Sequence, residues 1–460
     1  MTLVSAPPKF HATIQDSSDR AASVAEKPRR HRVVIVGGGF GGLAVAQALG
    51  GQDGIDVTLV DRRNHHLFQP LLYQVATAIL SPGEIAEPIR HILNPYDNIR
   101  VLLGELDAVD ANRRAIVIED GERIPYDSLV LATGAAHSYF GHDDWERTAP
   151  GLKTLDDARR IRARVLLSFE QAERTEDPAE RERFTTFAVI GGGPTGVEMA
   201  GAIAGLAREA LARDFKAVDP TKARILLIEG GQRILSAFHE DLSAYAEKAL
   251  TGLGVTVMTG HAVEDVTPEG VTVDGRLIPT ATVVWGAGVQ ASPVGRWLDL
   301  ETDKAGRVRV APDLSVPGRE GVYVIGDAAL SLAEDGSPLP GLAQVAHQQG
   351  VYLGRALRAK IQNGMPPKPF RFRSRGNLAV IGRNEAVVEW GRFRLKGFPA
   401  WLVWGIAHVY LLVGFQNRLL VCMRWLWTYL TAHNGARVIF DEDPDVLWEV
   451  ESRRRRPQRS

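Results

Sequence analysis

Two glycine-rich loops, 154 residues apart, constrain this chain more than any other feature. The first runs from Gly37 to Gly42 and the second from Gly191 to Gly196, each between an apolar run and a helix-forming stretch. Both fit Gly-x-Gly-x-x-Gly, in which the first glycine allows a tight turn, the second admits a pyrophosphate and the third lets helix pack on strand. The helix N-terminus then faces the negative charge. One such loop is a weak signal, but two predict two bound dinucleotides and electron transfer between cofactors.

An acidic residue follows each loop at the end of the next apolar run. Asp61 lies 24 residues after Gly37, close to the spacing at which an acid reaches a ribose hydroxyl. Glu229 lies 38 residues after Gly191, a longer interval. Each copy continues with an alternating segment and a buried strand that stops at a glycine turn. The chain is therefore interpreted as an internal duplication with an α/β fold, in which a split first Rossmann-like domain carries an inserted second one.

This interpretation divides the chain as follows: 1–31 a disordered tail, 32–150 the first part of the split dinucleotide-binding domain, 151–297 the inserted dinucleotide-binding domain, 298–375 the second part of the split domain, 376–450 a region for membrane association or dimerisation, and 451–460 a basic tail. Asn64 to Pro70 is expected to be a loop. Leu71 to Leu93 is expected to be mostly helical, with breaks at its two prolines.

The composition excludes several classes of chemistry. The 460 residues include one cysteine, so a disulfide framework, a cysteine-ligated metal site and a redox-active cysteine pair are excluded within one chain. The formal net charge of −1 gives no overall field that would attract nucleic acid. We predict no metal site and no nucleic-acid partner. The absence of an apolar N-terminal signal core indicates a cytosolic body.

The C-terminal part has a different character. Phe398 to Phe415 contains no Asp, Glu, Lys or Arg, and Leu419 to Ala432 is rich in tryptophan. In the second stretch, Arg424 and two threonines share one helical face. This amphipathic pattern favours helices that lie in the plane of a membrane interface. Burial in a core or dimer interface, and a spanning helix, are the alternatives. The basic run Arg453 to Arg456 is either a solvated tail or a contact for anionic lipid.

Several motifs together resemble the type II NADH:quinone oxidoreductases, single-subunit NADH dehydrogenases of the two-dinucleotide flavoprotein superfamily that do not pump protons. The motifs are Asn64-His-His-Leu-Phe-Gln-Pro-Leu-Leu-Tyr73-Gln74, Trp285-Gly-Ala-Gly-Val-Gln-Ala-Ser-Pro293, Ala343-Gln344-Val-Ala-His-Gln348 and Gly376-Asn-Leu-Ala-Val-Ile-Gly382. Gly326-Asp327 resembles the second FAD motif of the superfamily. The resemblance covers about Arg32 to Ile439. It implies FAD in the first loop, NADH in the second, and a membrane quinone as electron acceptor.

The resemblance also assigns residues, all present in this sequence. The residues implied for FAD are Gly37, Gly39, Phe40, Gly41, Gly42, Asp61, Arg62, Tyr73, Gln74, Thr133, Gly134, Asp327 and Gln344. The residues implied for NADH are Gly191, Gly193, Pro194, Thr195, Gly196, Glu198, Glu229, Gly286, Ala287 and Gly288. The residues implied for catalysis are Glu198 as a proton relay and Gln344 and Gln348 as contacts of the quinone head.

Each assignment has a plainer alternative. Glu198 suits the first turn of a helix whatever its function, and the two glutamines would serve equally to bridge backbone. Glu229 repels a 2′-phosphate and so favours NADH over NADPH, with Arg233 as the reservation. We expect a homodimer attached to lipid at the cytoplasmic face of the bacterial plasma membrane. The competing functions are a soluble flavin reductase for a protein acceptor, a sulfide:quinone oxidoreductase, which needs paired cysteines, and a flavin-bound redox sensor.

Overall fold

The computed structural model describes residues 29–431 and 435–439, so the basic tail and most of the predicted N-terminal tail lie outside the described residues. The α-helices are α1 (Phe40–Leu49), α2 (Leu72–Ala76), α3 (Ile89–Leu93), α4 (Leu155–Arg174), α5 (Pro178–Phe184), α6 (Pro194–Gly205), α7 (Glu240–Gly252), α8 (Val294–Leu298), α9 (Ala343–Asn363), α10 (Phe398–Leu411) and α11 (Phe415–Thr431).

The strands up to the second glycine loop are β1 (His31–Val36), β2 (Ile55–Asp61), β3 (His65–Leu67), β4 (Ala86–Pro88), β5 (Ile99–Leu103), β6 (Leu106–Asp110), β7 (Ala115–Ile118), β8 (Arg123–Pro125), β9 (Ser128–Leu131), β10 (Ala135–His137) and β11 (Thr186–Ile190). The later strands are β12 (Arg224–Glu229), β13 (Val255–Thr259), β14 (Val263–Thr267), β15 (Gly270–Val273), β16 (Arg276–Pro279), β17 (Thr282–Trp285), β18 (Val289–Ala291), β19 (Val308–Arg309), β20 (Val322–Val324), β21 (Ala329–Leu330), β22 (Asn377–Gly382), β23 (Glu385–Trp390) and β24 (Phe393–Lys396).

The first sheet is parallel and has the spatial order β20–β9–β1–β2–β5. All residues of β9 are buried, as expected for a parallel strand covered on both faces. Strand β20 pairs with β9, so the chain returns to this sheet after the second glycine loop. On one face α1 packs closely on α9. The two helices approach so closely that a Cβ at Gly350 would lie 2.2 Å from the carbonyl oxygen of Gly41.

The second sheet repeats the first with the order β13–β12–β11–β17. In both sheets the strand that leads into a glycine loop lies between the strand that ends at the acid and the strand that ends at a glycine turn. Each sheet is also accompanied by a three-stranded antiparallel meander, β6–β7–β8 in one copy and β14–β15–β16 in the other. The predicted α/β fold with two Rossmann-like units is therefore confirmed.

A short antiparallel ribbon connects the two units. Strand β10 leaves the first sheet and pairs with β18, which follows the glycine turn of the second sheet. At its base, the hydroxyls of Thr133 and Ser292 lie 2.5 Å apart, and the Ser292 amide donates to the carbonyl of Gly134. Gly134 has φ +68, a conformation that favours glycine.

The segment from 64 to 93 differs from its prediction. The expected loop contains β3, and the expected long helix is broken into α2, a 3-10 turn at Pro82–Glu84, β4 and α3. Strand β3 pairs antiparallel with β4. After α2, Ala78 takes φ +59, which a helix does not tolerate, and Pro88 cannot donate to a preceding turn. Cross-strand pairing therefore replaces helix in the second half of the segment.

The C-terminal region forms the antiparallel sheet β22–β23–β24 with α10 and α11 beside it. Helix α10 buries Ala400, Trp404 and His408, which are spaced one turn apart. Helix α11 is held to the body at Asn417, whose side-chain amide donates to Glu87 at 2.7 Å. Arg424, predicted for the polar face, turns toward the protein and lies 3.5 Å from Glu84.

The outward faces of these elements are apolar. Their exposed large side chains are Trp390, Phe393, Leu395, Phe398, Leu402, Val403, Ile406, Tyr410, Leu411, Leu419, Met423, Leu426, Trp427 and Leu430. We call this set the apolar outer face. In the described part of the chain, no helix has both the length and the apolar character needed to cross a membrane.

Candidate active site

Both glycine loops have the same geometry. Gly37 and Gly191 take φ +104 and +103, values that only glycine adopts without strain. A Cβ at Gly42 or Gly196 would lie 1.8 Å from the carbonyl oxygen of the first glycine of its own loop. No side chain fits at these four positions, so the backbone requirement inferred from the sequence is met twice.

The start of the helix after each loop is open to a ligand. Gly39 and Gly193 occupy the N-cap positions of α1 and α6, and neither helix has a side-chain cap. Nothing lies within 4 Å of the place where a Cβ would stand on either glycine. Uncapped amide groups beside open space are the chemistry that a pyrophosphate needs. Both helix starts therefore fit a dinucleotide.

Around these helix starts, the predicted residues differ in exposure. Pro194 and Thr195 are exposed in the first turn of α6. The Phe40 ring is half-buried and lies edge-on to His66 at 5.1 Å between ring centres. Gly41 is buried, and a Cβ there would lie 3.2 Å from the carbonyl oxygen of Ala346 on α9, so its lack of a side chain lets the two helices pack.

Each acid folds back onto its own glycine loop. Asp61 accepts from the amide of Gly38 at 2.5 Å, and Glu229 accepts from the amide of Gly192 at 2.5 Å. The other oxygen of each carboxylate accepts from the amide two residues further along the chain, at 2.7 and 2.6 Å. The different sequence intervals therefore lead to the same contact. Ionised carboxylates have about four lone-pair sites, so each retains capacity for ribose hydroxyls.

The arginines near the two acids have other partners. Arg233, the reservation about NADPH, donates at 2.7 Å to the carbonyls of Ser236 and Phe238 and to the hydroxyl of Ser243. Its guanidinium is therefore held within its own loop. Arg62 is half-exposed and pairs with Glu105 at 3.2 Å.

A cleft of about 810 Å³ opens beside the strand end that carries Asp61. Its lining includes Arg62, Arg63, His65, Arg159, Arg162 and, from the C-terminal segment, Val438. The charged residues of the lining are four arginines and Asp156, and this excess of positive charge suits phosphate groups. No residue from Gly37 to Gly42 lines this cleft. Sequence reasoning identified Arg62 but missed the contribution of α4, because no local motif connects the two segments.

The glycine turns close over the loops. Gly286 to Gly288 cross the second loop, where a Cβ on Gly191 would meet Gly286 and Ala287 at 2.6–2.7 Å.

In the first unit, the Gly326 amide donates to the side-chain oxygen of buried Gln349 at 2.7 Å. Gln349 therefore orients the turn that carries Asp327. The sequence carried no signal for Gln349, because it lies just outside the pattern Ala343-Gln344-Val-Ala-His-Gln348.

A lysine that the sequence analysis also missed lies near Asp327. Burial lowers the pKa of the Lys153 ammonium group, and the negative charges of Asp327 and Asp157 act in the opposite direction. Lys153 precedes Thr154, which caps α4. The result is a half-buried amine whose interaction with Asp327 favours its positive form, beside the predicted ribityl-binding acid. A single lysine carries no sequence motif, so no signal was available to find it.

Glu198 lies on α6 where β22 crosses the helix. Desolvation of its carboxyl raises the pKa of Glu198 to about 8, and a long contact of 3.5 Å with the amide of Val380 partly opposes this. The close crossing depends on Gly201, because a Cβ there would lie 1.7 Å from the carbonyl oxygen of Ile381. At neutral pH the carboxyl therefore holds a proton that it can give up, as a proton relay requires.

Tyr73 and Gln74 are buried in α2, next to the Glu198 region. Burial raises the pKa of Tyr73 well above its usual value, with a smaller contribution from the charge of Glu198. The Gln74 amide donates to the Tyr73 hydroxyl at 2.8 Å, and its oxygen accepts from the indole of Trp425 at 2.7 Å. The assignment of Tyr73 and Gln74 to the flavin site stays a prediction, and their nearness to Glu198 is a finding of the structure. The partner from α11 was not predicted.

Gln344 and Gln348 lie one turn apart on α9, and both pair with backbone. Gln344 accepts from the Arg375 amide at 2.9 Å and donates to the Gly376 carbonyl at 3.1 Å. Gln348 makes the same two kinds of bond with Arg373, at 3.1 and 2.9 Å. The plainer alternative, bridging of backbone, is thus what the structure shows. Each amide keeps one N–H for another acceptor.

Among residues 29–431 and 435–439, no group of three His, Cys, Asp or Glu side chains is arranged to hold a metal ion. Cys422, on α11, is exposed.

Comparison with protein families gives two matches: the pyridine nucleotide-disulphide oxidoreductases over residues 31–350 and the NDH2 C-terminal domain over residues 374–434. The type II NADH:quinone oxidoreductase Ndh of Mycobacterium tuberculosis is 44% identical over 439 residues, which cover 92% of this chain and 94% of the relative. The demethylphylloquinone reductase NdbB of Synechocystis is 30% identical, covering 86% of this chain and 96% of the relative.

Solved structures show the same fold. NDH2 from Plasmodium falciparum, in complex with NADH, superposes with a TM-score of 0.81 at 21% identity, covering 90% of this chain and 100% of that chain. The sulfide:quinone oxidoreductase of Aquifex aeolicus gives a TM-score of 0.67 at 18% identity, over 84% of this chain and 91% of that chain. At these identities the likeness concerns the fold alone.

Proposed function

Since this chain belongs to the type II NADH:quinone oxidoreductases, we propose how its residues divide the work of passing electrons from NADH to a quinone. FAD, when bound, accepts a hydride from NADH and passes two electrons to the acceptor. One observation carries the assignment of sites: the two glycine loops have the same geometry, and each is closed by an acid that accepts from a loop amide. With one cysteine in the chain, no cysteine pair is available to carry the electrons.

The first loop holds FAD and the second holds NADH. Asp61 would hold the FAD ribose, and Asp327, on a turn braced by Gln349, would bind the ribityl chain. We assign 32–150 and 298–375 to the FAD domain and 151–297 to the NADH domain. The pairing of β20 with β9 supports this division, because it joins the two FAD segments in one sheet.

The second loop selects NADH over NADPH. Glu229 presents a carboxylate to the adenosine ribose, where a 2′-phosphate would be repelled. Arg233, the cation nearest in sequence, is held by Ser236, Phe238 and Ser243. No guanidinium from this loop is therefore directed at a 2′-phosphate.

The acceptor half of the reaction needs two protons for each quinone. Glu198 supplies or relays a proton, because its raised pKa leaves the carboxyl protonated at neutral pH. Gln344 and Gln348 use one N–H each on backbone, and their remaining N–H groups donate to a quinone carbonyl. A neutral donor suits an acceptor that enters from an apolar phase.

The apolar outer face attaches the chain to a lipid surface without spanning it. Both α10 and α11 use their polar or aromatic inner faces to bind the body and leave apolar side chains outside. Exposed apolar area of this extent in a contiguous region marks an interaction site. A homodimer, and attachment at the cytoplasmic face of a bacterial plasma membrane, complete the proposal.

The decisive experiment is NADH oxidation by the purified, FAD-loaded protein with and without a short-chain quinone. We expect NADH oxidation to be slow alone and to accelerate strongly with quinone, with NADH preferred to NADPH. Reduction of a protein acceptor but not of quinone would favour the soluble reductase. Slow turnover with every acceptor and a stable complex would favour the redox sensor.

Attachment is tested with single charges on the apolar outer face. Ile406 and Leu430 are 71% and 72% exposed, so Ile406→Lys and Leu430→Lys change no core contact. We expect both variants to sediment less with vesicles of neutral lipid than the wild type does. Leu277→Lys is the matched control, because Leu277 is 51% exposed on β16, outside this face. Equal sedimentation of all three variants would reject the assigned surface.

A further inference from the structure

A line of hydrogen bonds leads from the C-terminal helix α11 into buried α2. The Trp425 indole N–H donates to the side-chain oxygen of Gln74 at 2.7 Å. The Gln74 amide nitrogen donates to the Tyr73 hydroxyl at 2.8 Å. Gln74 and Tyr73 are each 5% exposed, so water does not substitute for these partners. Residues 351 positions apart in the chain thus share one hydrogen-bond line.

The donor at one end determines the direction of the whole line. An indole N–H donates and cannot accept, so the Gln74 carbonyl oxygen must face Trp425. The Gln74 NH₂ group must then face Tyr73, whose hydroxyl accepts. A flipped amide would bring two donors together in a buried place, and an unsatisfied buried donor costs about 1–3 kcal/mol. The orientation of Gln74 is therefore imposed by Trp425.

The same logic fixes how Tyr73 donates. Its oxygen accepts from Gln74, so its own O–H must point elsewhere. Burial raises the pKa of Tyr73 well above 10, so the hydroxyl keeps its hydrogen at any physiological pH. When the Glu198 carboxyl is ionised, its negative charge raises the pKa of Tyr73 further. Tyr73 is thus a permanent donor whose O–H is directed away from Gln74.

Helix α11 has two sides with different partners. Its inner side carries Trp425, stacked on Trp404 at 5.2 Å between ring centres, and Asn417, which donates to Glu87. Its other side belongs to the apolar outer face and exposes Leu426 and Leu430. The same stretch of α11 therefore exposes apolar side chains on one side and, on the other side, donates from Trp425 to buried Gln74.

We propose that Trp425 is a positioning residue for the reaction with quinone: by donating to Gln74 it fixes the direction in which Tyr73 donates, so α11 orders the acceptor side of the site as well as attaching the chain. The inference rests on the proposed function, because it concerns the quinone half of that reaction. Trp425 acts through Gln74 and is assigned no contact with substrate.

The test compares the FAD-loaded protein with two variants at Trp425. Trp425→Phe keeps an aromatic ring and removes the donor. Trp425→His restores it, since Nε2 of the imidazole occupies the ring position of the indole nitrogen. Trp297→Phe is the matched control, because the Trp297 indole nitrogen is buried and makes no hydrogen bond within the described residues. The readouts are kcat and KM with a short-chain quinone, the rate of flavin bleaching by NADH without quinone, and sedimentation with vesicles.

We expect Trp425→Phe to lose roughly fivefold in kcat with quinone, the equivalent of one neutral hydrogen bond of about 1 kcal/mol. Flavin bleaching by NADH, the KM for NADH and sedimentation should stay at wild-type values. Trp425→His should recover most of the loss, and Trp297→Phe should match the wild type.

Three results would overturn the proposal. The first is equal kcat in the two phenylalanine variants. The second is an equal loss in flavin bleaching and in quinone turnover, or release from vesicles, since a merely structural role predicts these. The third is a histidine variant no better than the phenylalanine variant. If the wild type itself fails to reduce quinone, the proposed function fails instead, and the two failures are distinguishable.

Discussion

Glu198→Gln should make the protein more stable than the wild type at neutral and alkaline pH. In the folded protein the pKa of Glu198 is about 8, against an ordinary value of 4.5. Between these values the folded chain keeps the proton and the unfolded chain releases it. Stability therefore falls as pH rises from about 4.5 to about 8 and is flat above, because the unfolded state binds fewer protons. Glutamine does not ionise and carries no such penalty.

The size of the effect follows from the difference between the pKa of Glu198 in the folded protein and its ordinary value. Each unit of pKa corresponds to about 1.4 kcal/mol, so the full penalty is about 5 kcal/mol at pH 8 and above, and about 3 kcal/mol at pH 7. At pH 4.5 the two proteins should be nearly equally stable. If the same carboxyl supplies a proton to quinone, the variant should also lose about 100-fold in quinone turnover, a typical contribution of general acid catalysis.

The assay is thermal unfolding of the FAD-loaded wild type and variant between pH 5 and 9, together with quinone turnover over the same range. Glu247→Gln is the control, because Glu247 is exposed on α7. We expect the gap in unfolding temperature to widen with pH for Glu198→Gln and to stay constant for the control. A constant gap, or a variant less stable than the wild type at pH 8, would refute the reasoning about burial.

Three further predictions concern the nucleotide sites and the helix that carries Glu198. Gly201→Ala should destabilise the protein by about 2–3 kcal/mol, although alanine favours helix, because its Cβ would lie 1.7 Å from the Ile381 carbonyl oxygen; thermal unfolding measures this, and a more stable variant would contradict the crossing. Glu229→Gln should lower the NADH/NADPH preference in kcat/KM about tenfold, and an unchanged ratio would reject its role. Asp61→Ala should lose FAD on gel filtration, judged by the flavin absorbance per protein, since the carboxylate no longer orders the Gly38 amide; full retention would show that the acid is dispensable.

The parts of this protein that the sequence determines are those whose geometry is local. A glycine with φ near +104 and a second glycine against its carbonyl need residues only five positions apart. Such requirements are visible as a motif, and so is their repetition. The acids at the ends of β2 and β12 were also accessible, because parallel pairing brings the end of the next strand beside the loop. Fold class, duplication and cofactor types follow from these features.

Other features depended on partners distant in sequence. The amides of Gln344 and Gln348 pair with backbone about 25–32 residues away, and the plain and the functional interpretations of the motif looked alike beforehand. The helix predicted over Leu71 to Leu93 gave way to pairing between β3 and β4. Periodicity counts apolar residues along a segment and contains no information about which other segment will pair with it.

The direction of the donor line from Trp425 to Tyr73 belongs wholly to the tertiary structure. The sequence by itself determined that two dinucleotides bind and that most of the stretch from Phe398 to Ala432 is apolar, because these follow from backbone conformation and composition. Only the fold decided that α11 turns its polar side chains inward, that Arg233 is held within its own loop, and that burial leaves Glu198 protonated at neutral pH. The physical reason is that hydrogen-bond partners and desolvation depend on the surroundings of a side chain, and folding assembles those surroundings from distant parts of the chain.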